Sequence, residues 1–325
     1  MNIFLALFML IGGFALLIKG ADWFVEGASS VAKLLKVPAI IIGLTVVAFG
    51  TSLPEASVSI SSAIAGMNSL AVSNVVGSNI FNTLVVLGAS ALIVPVCVQP
   101  DSVRKEIPFS ILCTVALLAA LLLGMNAGAA ETTYTIGRIG GLVLLAVFAF
   151  YMYWQVSAAL KSRRAGENDE GEDEVKVLSP LKSLIFIVVG LVCIILGGNF
   201  VVDGASAIAL KFGMSETLVG MTIVAVGTSL PELVTSMIAA KKGESDLALG
   251  NAIGSNIFNI VFILGFSALI SPMTVDVLAV IDTVATIGVS ALVLAFSATG
   301  KKISRTEGAI MVAAYIGYLV YMIVR

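Results

Sequence analysis

AFGTSLPE at Ala48–Glu55 returns as AVGTSLPE at Ala225–Glu232, and GSNIFN at Gly77–Asn82 returns unchanged at Gly254–Asn259. Both matches have the same offset of 177 residues, and at that offset Gly43–Gly88 overlies Gly220–Gly265 without a gap, with 24 of 46 positions identical. The register extends upstream, where Val25-Glu26-Gly27-Ala28-Ser29 meets Val202-Asp203-Gly204-Ala205-Ser206. The chain is therefore built twice over, and the fold must explain one unit used two times.

Composition supplies the solvent. Of 325 residues, 59% are hydrophobic and 12% charged, and the mean hydropathy is +1.09. Such a chain cannot cover a water-facing surface, which in soluble proteins carries about twice that charged share. The apolar runs are long and continuous rather than alternating, so an all-α polytopic membrane protein is expected, not a barrel. Runs long enough to span fall near 2–24, 38–65, 69–95, 107–124, 136–158, 181–203, 214–240, 245–270, 276–298 and 307–324. That makes ten transmembrane helices. The first run has neither a basic leader nor a small-residue cleavage site and reads as a retained helix.

With the N-terminus outside, 15 of the 18 Lys and Arg residues fall in loops on the inside; Arg138, Lys211 and Arg325 remain outside. The positive-inside rule then places both termini outside. The expected organisation is a first five-helix repeat at 1–160, a cytoplasmic acidic linker at 161–180 containing GENDEGEDE, and a second repeat at 181–325. The linker reads as a solvated, flexible connection rather than a calcium sensor, because its acids lack an EF-hand spacing. Five helices is an odd number, so the second repeat enters the membrane inverted. Inverted repeats are a mark of secondary transporters with a site at the midplane.

Other chemistries drop out. The chain has no histidine, which excludes His-ligated metals and Ser-His-Asp catalysis. Cys97, Cys113 and Cys193 stand singly and read as small core residues. No basic block suits nucleic acid. No enzymatic activity, resident cofactor or obligate protein partner is inferred; the partners are the lipid bilayer and the transported ions.

Glu55 and Glu232 lie inside expected spans, where an acid costs about 2.5–3.5 kcal/mol and marks a functional site by default. Thr51 and Ser52 precede Glu55, as Thr228 and Ser229 precede Glu232. Pro54 and Pro231 cannot donate to the carbonyls four residues back and should break each helix, freeing backbone oxygens at the midplane. Asn74, Ser78 and Asn82 share one helical stripe, as do Asn251, Ser255 and Asn259. For Asn74 and Asn251 interhelical hydrogen bonding is an equal alternative to ion contact. All these donors are hard oxygens, which suit Ca²⁺ and Na⁺, fit Mg²⁺ less well and argue against Zn²⁺ or Cu⁺.

GTSLPE paired with GSNIFN, twice, resembles the sodium/calcium exchanger family of the calcium/cation antiporter superfamily, in a compact form that looks prokaryotic. The resemblance covers essentially the whole chain. It implies Na⁺ for Ca²⁺ exchange by alternating access, with helices 1 and 6 sliding across a core of the other eight, in a bacterial inner membrane. By motif position it implies Glu55 and Glu232 as central ligands, surrounded by Thr51, Ser52, Thr228, Ser229 and the carbonyls of Ala48 and Ala225. It places Ser78 and Ser255 at flanking sodium sites, and Asn82 and Asn259 at inner positions. Some members, including the potassium-dependent branch, carry Asp in one of the last two places. Two amides here argue against K⁺ co-transport. Ca²⁺/H⁺ antiport on the same fold is the nearest alternative. A cation channel is the alternative from another class, disfavoured because one chain with an inverted repeat has no rotationally symmetric filter.

Overall fold

A computed structural model describes residues 2–127, 132–165, 177–214, 219, 223 and 225–324. The acidic stretch at 166–174 lies outside the described residues. The described residues are mostly helical, 85% of them. The helices are α1 Ile3–Leu35, α2 Ala39–Thr51, α3 Leu53–Ile64, α4 Asn68–Ile93, α5 Ser102–Leu123, α6 Arg138–Ala165, α7 Pro180–Lys211, α8 Ala225–Thr228, α9 Leu230–Lys241, α10 Ser245–Ile270, α11 Val277–Gly300 and α12 Arg305–Val324. Among the described residues seven helices, or eight with α2 and α3 taken as one bent span, are long and apolar enough to cross a membrane. The other two expected spans, 214–240 and 307–324, correspond to α8 with α9 and to α12.

Several helix ends differ from the sequence reading, those of α1, α6 and α7 the most. Helix α1 continues to Leu35, so Lys33 sits in its last turn rather than in a loop. Helix α6 runs through Lys161, Arg163 and Arg164 to Ala165, five residues into the expected linker. Cations in a last turn face the negative end of the helix dipole, which favours continuing the helix to that point.

Helices α1 and α7 pack along one another over their length. Glycine makes the approach possible: a Cβ on Gly13 would stand 2.8 Å from the Gly197 carbonyl, and one on Gly20 2.8 Å from the Gly190 carbonyl. The glycines recur every seventh residue on both helices, at 13, 20 and 27 and at 190, 197 and 204. Close backbone contact through small residues replaces the hydrophobic drive that lipid does not supply. The remaining helices enclose α4 and α10, whose apolar windows are 72% and 78% buried, against 22% for α1. The twin GSNIFN segments thus form the centre of the molecule.

Short strands tie the loops, a feature that hydropathy does not signal. Val96–Cys97 (β1) pairs antiparallel with Lys302–Ile303 (β5), while Met125–Asn126 (β2), Thr133–Ile136 (β3) and Met273–Val275 (β4) form a second sheet in that order. A third junction joins Ser30 on α1 to the backbone N–H of Leu178, and Ser29 to the Glu244 carboxylate.

Candidate cation site

The site grows out of two broken helices. At Ser52 the backbone turns to φ −84°, ψ 7°, and α3 leaves α2 at 51°. Ser229 has nearly the same conformation, φ −92°, ψ 5°, between α8 and α9. Pro54 and Pro231 each sit in the first turn that follows, where a missing N–H costs nothing. The prolines therefore act as the sequence predicts, stopping one helix and starting the next. Each break also places a carboxylate, Glu55 or Glu232, in the first turn of a half-helix, at the positive end of its dipole. That partly offsets the cost of burying both groups, which are 0% exposed.

The two repeats then exchange partners. Ser52 donates to Glu232 Oε1 at 2.8 Å, and Ser229 donates to Glu55 Oε1 at 2.8 Å. Each hydroxyl serves the carboxylate of the other repeat, a pairing that sequence spacing within either repeat does not reveal. Ser255 also donates to Glu232 Oε1, at 3.3 Å. The second oxygens, Glu55 Oε2 and Glu232 Oε2, are buried without a hydrogen-bond partner. Buried acceptors are normally satisfied, so two orphaned carboxylate oxygens fit a cation between the repeats. Hydrogen bonds from hydroxyls to a carboxylate are charge-assisted and hold these side chains in place.

The other candidates fall around this pair. Thr51 is fully buried and its hydroxyl reaches Asn251 Oδ1 at 3.0 Å, with the Val47 and Ala48 carbonyls at 3.2 and 3.4 Å. The Ala48 carbonyl also accepts the Ser52 N–H at 3.1 Å, so it is engaged but keeps acceptor capacity. Thr228 ends α8 and Ala225 begins it. Ser78 is 3% exposed with an unpartnered hydroxyl, and both amide atoms of Asn82 are buried without partners. Asn259 keeps an unpartnered Oδ1. Both asparagines lie in π-helical stretches, Asn82–Val86 and Phe258–Leu264, a distortion that recurs at functional sites. Asn74 and Asn251 make the interhelical hydrogen bonds of the structural alternative: Asn74 donates to Ser59, and Asn251 to Ser236, each at 2.9 Å, while Asn251 also accepts from Thr51 of the candidate site.

Three features lay beyond the sequence reading. Asn79, Asn256 and Thr83 form a buried amide cluster beside the site; the middle Asn of GSNIFN was its only signal. A cavity of about 500 Å³ is lined by Pro54, Asn199, Asp203, Thr228 and Pro231, so it touches both helix breaks. At the other end of α1 and α7, Lys242 bridges to Asp22 at 2.6 Å and donates to the Asp22 carbonyl at 2.9 Å. Lys19 reaches the same carboxylate at 2.8 Å. Among the described residues no group of three or more Asp, Glu, Cys or His is placed to hold a metal ion; the candidate site offers two carboxylates and neutral oxygens.

Comparison with known proteins places this geometry. The family model described as sodium/calcium exchanger protein matches residues 5–157 and 182–324. The chain is 41% identical to the putative antiporter CaxA of Alkalimonas amylolytica over 96% of each protein. It is 38% identical to the inner membrane protein YrbG of Escherichia coli, over 85% of this chain and 83% of YrbG. The structure of the sodium-calcium exchanger NCX_Mj soaked with 2.5 mM Na⁺ and 0.1 mM Ca²⁺ superposes with a TM-score of 0.81 at 32% identity, covering 97% of this chain and 98% of that one. A matched model over nearly the whole chain, on a helical membrane fold with twin GTSLPE breaks, makes this protein a member of the sodium/calcium exchanger family.

Proposed function

We propose that this protein is a Na⁺/Ca²⁺ antiporter of the bacterial inner membrane, working by alternating access through a site centred on Glu55 and Glu232. The observation that carries the reading is the pair of buried, unpartnered Oε2 atoms whose carboxylates are clamped across the repeats by Ser229 and Ser52. Two carboxylates balance one Ca²⁺ or a set of Na⁺ ions. Thr51, Ser52, Thr228, Ser229, Ser78, Ser255, Asn82, Asn259 and the Ala48 and Ala225 carbonyls complete the oxygen shell.

Charge balance also explains coupling. A site with two bare carboxylates is too costly to occlude in a low-dielectric core. It changes sides only when cations fill it, so one ion returns for each load of the other. Family membership and the transported ions of NCX_Mj support sodium as the counter-ion.

The proposed topology is ten spans in two inverted five-helix repeats, 1–160 and 181–325, with both termini outside. Strand pairing supports the alternation. In a ten-span chain, β1 and β5 follow the third and ninth spans, while β3 and β4 follow the fourth and eighth, so each pair meets on one side. The cavity at Asp203, about 500 Å³, lies away from the linker end of α7 and exceeds the one of about 310 Å³ beside Ser29 and Lys33 at that end, which supports a site facing outward in this conformation.

The test is initial Ca²⁺ uptake into proteoliposomes with Na⁺, K⁺ or proton gradients imposed separately. Uptake driven by outward Na⁺ alone is the expected result. Uptake driven only by protons would replace the reading with Ca²⁺/H⁺ antiport. Flux with channel-like conductance would overturn antiport altogether.

A further inference from the structure

Asn82 and Asn259 occupy equivalent places in the two repeats, yet their surroundings differ. The π-helical stretch with Asn259 packs against α3, which carries Glu55, and the stretch with Asn82 packs against α9, which carries Glu232. Asn259 Nδ2 donates to Asn79 Oδ1 at 3.1 Å, whereas neither amide atom of Asn82 has a partner.

Hydrogen-bond polarity decides which way each amide of the cluster points. Asn79 faces the Asn256 backbone carbonyl at 3.0 Å. A carbonyl only accepts, so Asn79 must present Nδ2 there and Oδ1 at its other end. An amide oxygen also only accepts, so Asn259 must present Nδ2 to Asn79. Its own Oδ1 is then left over, buried and without a protein partner. The order follows from a backbone group that cannot rotate, through one side chain, to a second.

The opposite repeat does not build this relay. Thr83 donates its hydroxyl to the Asn79 carbonyl at 2.7 Å, so its oxygen accepts from Asn256 Nδ2 at 2.8 Å. Asn256 Oδ1 remains without a partner, and so does Asn82 Nδ2, the group that symmetry would pair with it. The repeat counterpart of Thr83 is Ile260, which offers no acceptor side chain. One substitution between the repeats thus leaves Asn79 to the Asn256 carbonyl and breaks the symmetry of the cluster.

We propose that Asn79 is a positioning residue that presets the Asn259 carboxamide with its oxygen toward the transported cation and its NH₂ away from it. The inference rests on the reading of Asn259 as part of the cation site. An amide free to turn would offer NH₂ to the ion part of the time and would have to be ordered at each binding event. A preset oxygen avoids both losses.

The test is the Ca²⁺ dependence of initial exchange rates in proteoliposomes for Asn79→Leu, Asn259→Ala and the double variant, with melting temperatures in EDTA as the folding control. Asn79→Leu is close to isosteric and removes both ends of the relay. Its half-saturating Ca²⁺ should rise on the order of tenfold, as when the supporting group of a metal ligand is lost, with the maximal rate little changed. Asn259→Ala should rise at least as much, and adding Asn79→Leu to it should change nothing further. If the leucine variant does not insert, Asn79→Ser provides the same readout with a polar group kept in the buried position. An unshifted half-saturation in the folded Asn79 variant, or effects that multiply independently in the double variant, would overturn the relay. If Glu55→Gln and Glu232→Gln are inactive and Asn259→Ala is shifted while Asn79 variants are not, only the relay fails. If the glutamine variants exchange calcium normally, the site reading itself is wrong.

Discussion

The two GTSLPE–GSNIFN units are nearly the same sequence and are not the same structure. Asn74–Ser59 and Asn251–Ser236 match bond for bond, as do Ser52–Glu232 and Ser229–Glu55. Other pairs do not. Glu232 gains Ser255 where Ser78, its counterpart, has no partner, and Asn259 is held where Asn82 is not. The ends of the molecule differ as well. At one end Lys242 and Glu244, between α9 and α10, bind Asp22 and Ser29 on α1. The repeat counterparts of Lys242 and Glu244 are Ala65 and Met67, and that of Asp22 is Asn199. The 500 Å³ cavity touches Asn199, and a smaller one of about 310 Å³ touches Ser29, Lys242 and Glu244 at the other end. The shared bonds build the candidate site from both repeats; the unshared ones make its two ends unequal.

The largest expected effect tests the shared part. Glu55→Gln and Glu232→Gln should each lower calcium exchange by on the order of a hundredfold or more, because a neutral amide removes half the site charge and bidentate ligation. Melting temperatures in EDTA should hold or rise, since a buried charge is relieved. Near-normal exchange by one of the two would break the equivalence of the repeats. A loss of folding in both would make the glutamates structural.

Next comes the contact between α1 and α7. Gly13→Ala puts a methyl against the Gly197 carbonyl, while the same change at Gly12 meets nothing within 4 Å. The first should destabilise by about 1–3 kcal/mol through overpacking. The second should be neutral or stabilise by up to ~1 kcal/mol through helix propensity. Thermal melts of the two neighbours side by side check this, and equal shifts would dissolve the claimed contact.

A smaller effect sharpens the difference between the ends. Asp22 and Lys242 are each about one-third exposed, at 32%, so their bridge contributes roughly 0.2–1 kcal/mol. Asp22→Asn should move the conformational balance by up to about fivefold, away from the state open at Asp203. The readout is the labelling rate of a Ser57→Cys probe in that cavity by a membrane-impermeant maleimide. Cys97, Cys113 and Cys193 would be replaced in both backgrounds. An unchanged rate would mean that the bridge does not hold that end shut.

The smallest effect is expected from the linker. Replacing the acidic stretch at 166–174 with a neutral flexible sequence should leave exchange nearly intact, because it lies outside both repeats. A large loss of calcium response in the same uptake assay would identify a regulatory segment and add a further asymmetry between the halves.

Much of this was legible in the chain itself. Hydropathy declared the bilayer, because lipid rewards apolar side chains wherever they pack. The 177-residue offset declared the duplication, and an acid after a Thr-Ser-Leu-Pro break marked the candidate site, because burying a carboxylate twice at matched positions needs a reason. Proline chemistry located both helix breaks to within a residue or two of Ser52 and Ser229. These are local properties, readable in a window of a few residues. Other features needed the folded molecule. Ser52 serves Glu232 rather than Glu55 because the repeats interleave, and their partners stand 180 and 174 residues apart in the chain. The seven-residue glycine spacing acquires meaning only when α1 lies on α7. Asn82 and Asn259 sit in identical six-residue motifs, so no local reading could separate them; Ile260 in place of Thr83 does so through a cluster contributed by both halves. Local composition determined what the groups are, and only the tertiary structure decided which group each one meets.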